Sequence, residues 1–123
     1  MNLVDSSGWL EYFANAKNAD FFSDAIEDTE NLIVSTINLY EVFKKILQQK
    51  DENSALQAIA LMQQGRIVEV DSSISLNSAK QSIELKLPMA DSIIFATALS
   101  FNAILWTQDS DFIDIPSVKY IKK

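Results

Sequence analysis

Short apolar runs alternate with helical patterns along almost the whole chain, and this alternation limits the fold more than any other feature of the sequence. Asn2-Leu3-Val4, Leu32-Ile33-Val34, Ile67-Val68-Glu69-Val70 and Ala103-Ile104-Leu105-Trp106-Thr107 read as strands, with Val118-Lys119-Tyr120-Ile121 as a short fifth at an edge. Between them the apolar residues recur with helical spacing. Ser6 or Ser7 is expected to cap a helix through Trp9, Leu10, Tyr12 and Phe13, and Phe21, Phe22, Ala25 and Ile26 mark a second. After the cap signal Ser35-Thr36 comes a longer helix whose stripe is read as Tyr40, Phe43 and Leu47, widened by Leu39 and Ile46, with Glu41 at its border. Ala55, Leu56, Ile59, Ala60 and Met62 form another, closed by Gly65 as its C′ residue. Ser72 or Ser73 opens a helix carrying Leu76, Ala79 and Ile83, and Pro88 precedes a last one with Ile94, Ala98 and Phe101 on one face. Strands that alternate with helices require crossover connections. The expected class is therefore α/β, a mostly parallel sheet of four to five strands flanked by helices on both faces. With 123 residues, 48% of them hydrophobic, and no repeats or linkers, the expectation is one domain over residues 1–123.

The chain contains no cysteine and no histidine. That excludes disulfides, thiolate or imidazole zinc sites, a cysteine nucleophile and any Ser-His-Asp triad, so chemistry here has to run on oxygen ligands. The N-terminus has no basic stretch leading into a long apolar run, and no segment approaches the roughly 20 apolar residues of a membrane span, so no membrane partner and a cytoplasmic address are expected. The net charge of −7 argues against a nucleic-acid partner at first sight, but the charge is segregated. Asp20, Asp24, Glu27, Asp28 and Glu30 crowd one stretch, whereas Lys44, Lys45 and Lys50 cluster later and Lys119, Lys122 and Lys123 close the chain.

Four carboxylates, Asp5, Glu41, Asp91 and Asp109, lie where strands end or helices begin. In open parallel sheets ligands bind beyond the carboxyl ends of the strands, and right-handed crossovers bring the intervening helix starts to that same edge. The four acids are thus expected to face one pocket. Carboxylates packed together raise one another's pKa, and a bound Mg²⁺ or Mn²⁺ removes the conflict, because hard cations select oxygen ligands. Such a site activates water for attack on a phosphodiester. Each acid taken singly also fits an ordinary role at a helix start. Asp109, Asp111 and Asp114 share one loop, and spacing does not choose among them. Ser6 and Thr107 read as caps that could also orient the carboxylates, and Lys44 and Lys45 as a solvated helix face with some chance of phosphate contact. Trp9 and Trp106 read as core or interface residues, and the first helix, with Trp9, Tyr12 and Phe13, is a candidate dimer interface.

The sequence resembles the PIN-domain ribonucleases, and within them the VapC-type toxins of bacterial toxin–antitoxin modules. The resemblance covers nearly the whole chain. It rests on the apolar strand into Asp5-Ser6-Ser7 with Trp9-Leu10-Glu11-Tyr12, on Ser35-Thr36-Ile37 leading to Tyr40-Glu41-Val42, on Leu87-Pro88-Met89-Ala90-Asp91-Ser92-Ile93-Ile94-Phe95-Ala96-Thr97-Ala98-Leu99, and on Leu105-Trp106-Thr107-Gln108-Asp109-Ser110-Asp111-Phe112. It implies that Asp5, Glu41, Asp91 and Asp109 are the four catalytic and metal-holding acids, that Thr107 is the hydroxyl two residues before the last of them, and that Asp111 assists. It further implies Mg²⁺- or Mn²⁺-dependent endonucleolytic cleavage of RNA, a cognate antitoxin and a homodimer. An RNA-processing nuclease of the same family would need no antitoxin. Trp106 is bulkier than the family leads one to expect, and Arg66 is the only arginine, which leaves RNA contact to lysines and backbone amides. A phosphoacceptor receiver domain fits less well, since Asp5 stands alone and Thr107-Gln108-Asp109 occupies the place of its lysine. A haloacid-dehalogenase-like phosphatase would need an acid where Ser7 stands. A catalytically silent binding domain leaves the acid quartet unexplained.

Overall fold

The computed structural model describes residues 1–123. Five strands, β1 (Asn2–Val4), β2 (Leu32–Ser35), β3 (Arg66–Val68), β4 (Ile104–Thr107) and β5 (Lys119–Tyr120), form one sheet in the order β3-β2-β1-β4-β5. Every pairing is parallel. All carboxyl ends therefore share one edge. The chain runs outward from β1 to β2 and β3, then returns to the other side of β1 for β4 and β5, so the topological switch point lies between β1 and β4.

Six helices cover the two faces: α1 (Ser6–Phe13), α2 (Ala19–Glu27), α3 (Thr36–Gln49), α4 (Glu52–Met62), α5 (Ser72–Leu85) and α6 (Met89–Ser100). Alternate strand residues divide between two cores, as the two-residue strand period requires. Leu3, Ile33 and Leu105 pack with Ile74, Ile94, Phe95 and Phe112 beneath α5 and α6. Val4, Leu32, Val34 and Trp106 pack with Trp9, Phe22, Val42 and Met62 beneath α1 to α4. The second core closes tightly at Gly8, where a Cβ would stand 2.7 Å from the Phe22 ring and 2.8 Å from Val4.

Several local expectations are corrected. α1 is capped by Asp5, whose side chain accepts from the Ser6 N–H, and α5 by Asp71, which accepts from the Ile74 N–H, so the serines that follow lie inside the helices. Gly65 does not adopt a left-handed conformation, and a Cβ there would meet Leu32 at 3.1 Å. β3 begins one residue early and ends at Val68, and β5 is two residues long. The buried face of α3 is Asn38 and Val42, while Tyr40 and Leu47 are exposed. In α5 the buried residues are Ile74 and Ser78, while Leu76 and Ile83 face outward. Trp9 and Trp106 are both core, which removes Trp9 from any dimer interface along α1. No helix is long and apolar enough to cross a membrane.

Candidate functional site

At the carboxyl edge, Asp5 follows β1 and Asp109 follows β4, one on each side of the switch point. Asp91 lies in the first turn of α6, and Glu41 in the second turn of α3. The structure brings these four together: Asp5, Glu41, Asp91 and Asp109 line one cavity of about 270 Å³ with Ser6, Ser7, Leu10 and Lys45. Glu41 and Lys45 also border an adjoining depression with Tyr40, Lys44 and Gln48, so the two lysines flank the acid group along α3.

Asp5 is almost wholly buried and held on both oxygens. Its Oδ1 accepts from the Ser6 N–H at 2.8 Å, and its Oδ2 accepts from Thr107 Oγ1 at 2.7 Å and Ser7 Oγ at 3.1 Å. Thr107 Oγ1 in turn accepts from the Asp109 N–H at 2.9 Å, which couples the end of β4 to the acid after β1. Ser6 Oγ donates to Glu41 Oε1 at 2.7 Å and accepts from Asn38 Nδ2 at 2.9 Å, and Asn38 Oδ1 accepts from the Ser35 N–H. Ser6 and Thr107 are therefore more than caps, because each also fixes a carboxylate.

The other acids gather less tightly. Asp91, Asp109 and Asp111 each offer a carboxylate oxygen within 4.8 Å of the others, and Asp109 Oδ1 accepts from the Asp111 N–H at 2.9 Å. Asp111 is exposed and does not line the cavity, whereas Asp109 does. Two oxygens on one Mg²⁺ at 2.0–2.1 Å stand at most about 4.2 Å apart, so a small closure of the group suffices for shared coordination. Electrostatics agree with that fit. Burial pushes the Asp5 carboxyl up to about 6, against the lowering pull of its three hydrogen bonds. Burial, followed by the charges of Asp5 and Asp109 and by Asp111, pushes Asp91 up to about 8. A set of oxygen donors that resist ionising beside one another suits a hard divalent cation.

Side chains not singled out in the sequence also shape the site. Asn38 occupies the N3 position of a capping box opened by Ser35, and that four-residue spacing was the available signal. Ser7 contacts Asp5 directly, and Gln108, between Thr107 and Asp109, is buried and hydrogen-bonded away from the cavity. Asp114 remains an exposed loop acid.

Fold and site together define a parallel α/β protein whose switch point carries an all-oxygen, acid-rich cavity. The chain belongs to the PIN domain family, whose model matches residues 3–118. Its structure is similar to a toxin–antitoxin complex from Klebsiella pneumoniae, at 24% identity and TM-score 0.82, over 96% of this chain and 95% of that one. It is also similar to VapC20 of Mycobacterium tuberculosis, described as a sarcin–ricin loop cleaving toxin, at 16% identity and TM-score 0.80, over 97% and 98% of the two chains. VapBC-1 from nontypeable Haemophilus influenzae is similar at 21% identity and TM-score 0.71, over 98% and 96%. None of the curated proteins matches the sequence.

Proposed function

We propose that this chain is a Mg²⁺- or Mn²⁺-dependent endoribonuclease and the toxin of a toxin–antitoxin pair, working as one domain in the cytoplasm. The observation that carries the reading is the convergence of Asp5, Glu41, Asp91 and Asp109, from four separate elements, on one cavity at the switch point. Asp5, Glu41, Asp91 and Asp109 would hold the cation, with Asp111 in support. When bound, such an ion polarises a phosphodiester and lowers the pKa of water that attacks phosphorus.

The chain's own residues supply orientation. Thr107 and Ser7 hold Asp5 by one oxygen, and Ser6, itself fixed by Asn38, aims Glu41. Lys44 and Lys45, exposed beside Glu41, are the basic groups placed to meet RNA phosphates. A cavity of about 240 Å³ between α1, α3 and α4, with Leu10, Phe13, Ile46 and Leu61 on its apolar side and Lys50 and Gln57 on its polar side, shares Leu10 with the acid cavity. It is a suitable seat for an amphipathic antitoxin segment that would also shut off the acids. A homodimer would need a surface other than Trp9, such as the exposed apolar residues of α5.

The test is incubation of bulk RNA with the purified chain and Mg²⁺ or Mn²⁺, beside Asp5→Asn. Metal-dependent internal cleavage that Asp5→Asn abolishes is expected; equal cleavage by both would sink the assignment. For the antitoxin, co-expression of the small neighbouring reading frame should give a complex that no longer cleaves. The absence of such a neighbour would count against the toxin role and leave an RNA-processing nuclease.

A further inference from the structure

Asp109 enters the acid cavity from a loop, and the residue that anchors this loop points the other way. Gln108 is 5% exposed and Asn18 is 6% exposed, although both carry side-chain amides that cost free energy to bury unpaired. They pair with each other and with Glu11. Gln108 Oε1 accepts from Asn18 Nδ2 at 2.9 Å, and Gln108 Nε2 donates to Glu11 Oε1 at 3.2 Å and, at 3.4 Å, to the Ser7 carbonyl. Glu11 Oε2 accepts from the Asn18 backbone N–H at 2.8 Å, which closes a ring of three residues. Asn18 Nδ2 also donates to the Lys122 carbonyl at 3.1 Å.

The ring joins segments that are remote in sequence: α1, the α1–α2 connection, the turn after β4 and the residues after β5. None of Glu11, Asn18 or Gln108 lines the acid cavity. Their neighbours do, however. Gln108 lies between Thr107, which donates to Asp5, and Asp109, and the Ser7 carbonyl that Gln108 meets belongs to the residue whose hydroxyl donates to Asp5. Thr107 Oγ1 links Asp109 to Asp5, and the Gln108 side chain adds a second tie, from the backbone between Thr107 and Asp109 to Ser7 and Glu11 of α1.

We infer that the Glu11–Gln108–Asn18 ring is a positioning clamp that sets the separation of Asp5 and Asp109, and so the affinity of the acid cavity for a divalent cation. This rests on the nuclease reading above. Partners behind metal ligands commonly carry about tenfold to a hundredfold in affinity or activity.

The ring's polarity supplies the test. Gln108→Glu alone sets two carboxylates against each other, whereas Gln108→Glu with Glu11→Gln keeps the three ring bonds, with donor and acceptor exchanged only between positions 108 and 11, and gives up the 3.4 Å bond to the Ser7 carbonyl. Mn²⁺ binding by calorimetry and cleavage kinetics are measured for both, for Gln108→Ala, and for the unaltered chain. Gln108→Glu and Gln108→Ala are expected to weaken Mn²⁺ binding and lower kcat by about tenfold or more with KM for RNA little changed, and the exchanged pair to recover to within about threefold. Lowered Tm with unchanged Mn²⁺ affinity, or an exchanged pair no better than Gln108→Glu, overturns the clamp. An unaltered chain that neither binds Mn²⁺ nor cleaves overturns the nuclease reading instead, and the clamp with it.

Discussion

The two halves of the acid cavity are built in opposite ways. On one side Asp5 is buried with neutral donors on both oxygens, and Ser6, Asn38 and Thr107 interlock around it and Glu41. On the other side Asp91, Asp109 and Asp111 crowd together at the start of a helix and in a loop, and the charges acting on Asp91 are those of other acids. The first half is organised before any ligand arrives. The second is held together against its own repulsion by the fold around it, which is a store of free energy that a cation would release. Replacing an acid of the crowded half should therefore cost function while stabilising the metal-free chain, whereas damage to the ordered half should cost both.

The largest expected effect tests that contrast directly. If Asp91 acts on the reacting centre as proposed, Asp91→Asn should lower RNA cleavage by about a hundredfold or more, yet raise the Tm of the metal-free protein near neutral pH. The sign follows from linkage. Folded Asp5 and Asp91 hold their protons to about 6 and about 8, against 3.8 for the unperturbed carboxyl, so between those values the folded state binds more protons than the unfolded one. Stability without metal is therefore fully present below about pH 4 for these groups, and it falls as pH rises towards about 8. Thermal melts in a chelator across that range should decline for the native sequence and stay flatter for Asp91→Asn, and added Mg²⁺ should restore only the former. A metal-free Tm that rises through this window would contradict the repulsion account.

The ordered and crowded halves were not equally legible in the sequence. All four acids could be placed because Asp5 and Asp109 follow strands, Asp91 lies in the first turn of a helix and Glu41 in the second turn of another, and a parallel sheet gathers such positions at one edge. The donors that order Asp5 and Glu41 were harder to find. Asn38 sits at the centre of the buried face of α3, and Ser78, whose hydroxyl donates to the Ile74 carbonyl at 2.6 Å, does the same in α5. A polar residue satisfied within the core interrupts the apolar stripe, which is why the expected faces through Tyr40 and through Leu76 were rotated from the true ones. Gln108 could not be read at all, since its partners Asn18 and Glu11 lie 90 and 97 residues away.

A smaller effect is expected in the ordered half from Thr107→Val, which keeps the shape and deletes one hydroxyl. That hydroxyl donates to Asp5 and accepts from the Asp109 N–H, so its loss leaves a buried carboxylate and an amide each short of a partner. A destabilisation of about 1–3 kcal/mol follows by denaturant melts. The hydrogen bond also lowers the Asp5 pKa, so removing it should move the acidic limb of the activity profile to higher pH as well as reducing the rate by about tenfold. Unchanged stability would mean that Asp5 is ordered by Ser6 and Ser7 alone.

The smallest effect separates two neighbouring acids. Asp109 lines the cavity and also accepts from the Asp111 N–H, so Asp109→Ala removes both a candidate ligand and the cap of the short turn at Ser110–Phe112. Asp111 is exposed and touches the group only from outside. Asp111→Asn should therefore reduce cleavage by only a few-fold, to be recovered at higher Mg²⁺, because what it contributes is charge near the ion and second contacts to Asp91. Asp109→Asn keeps the capping oxygen and should still fail at any Mg²⁺ concentration. Equal losses in the two asparagine variants, measured as kcat over a metal titration, would instead make the loop a pair of equivalent ligands.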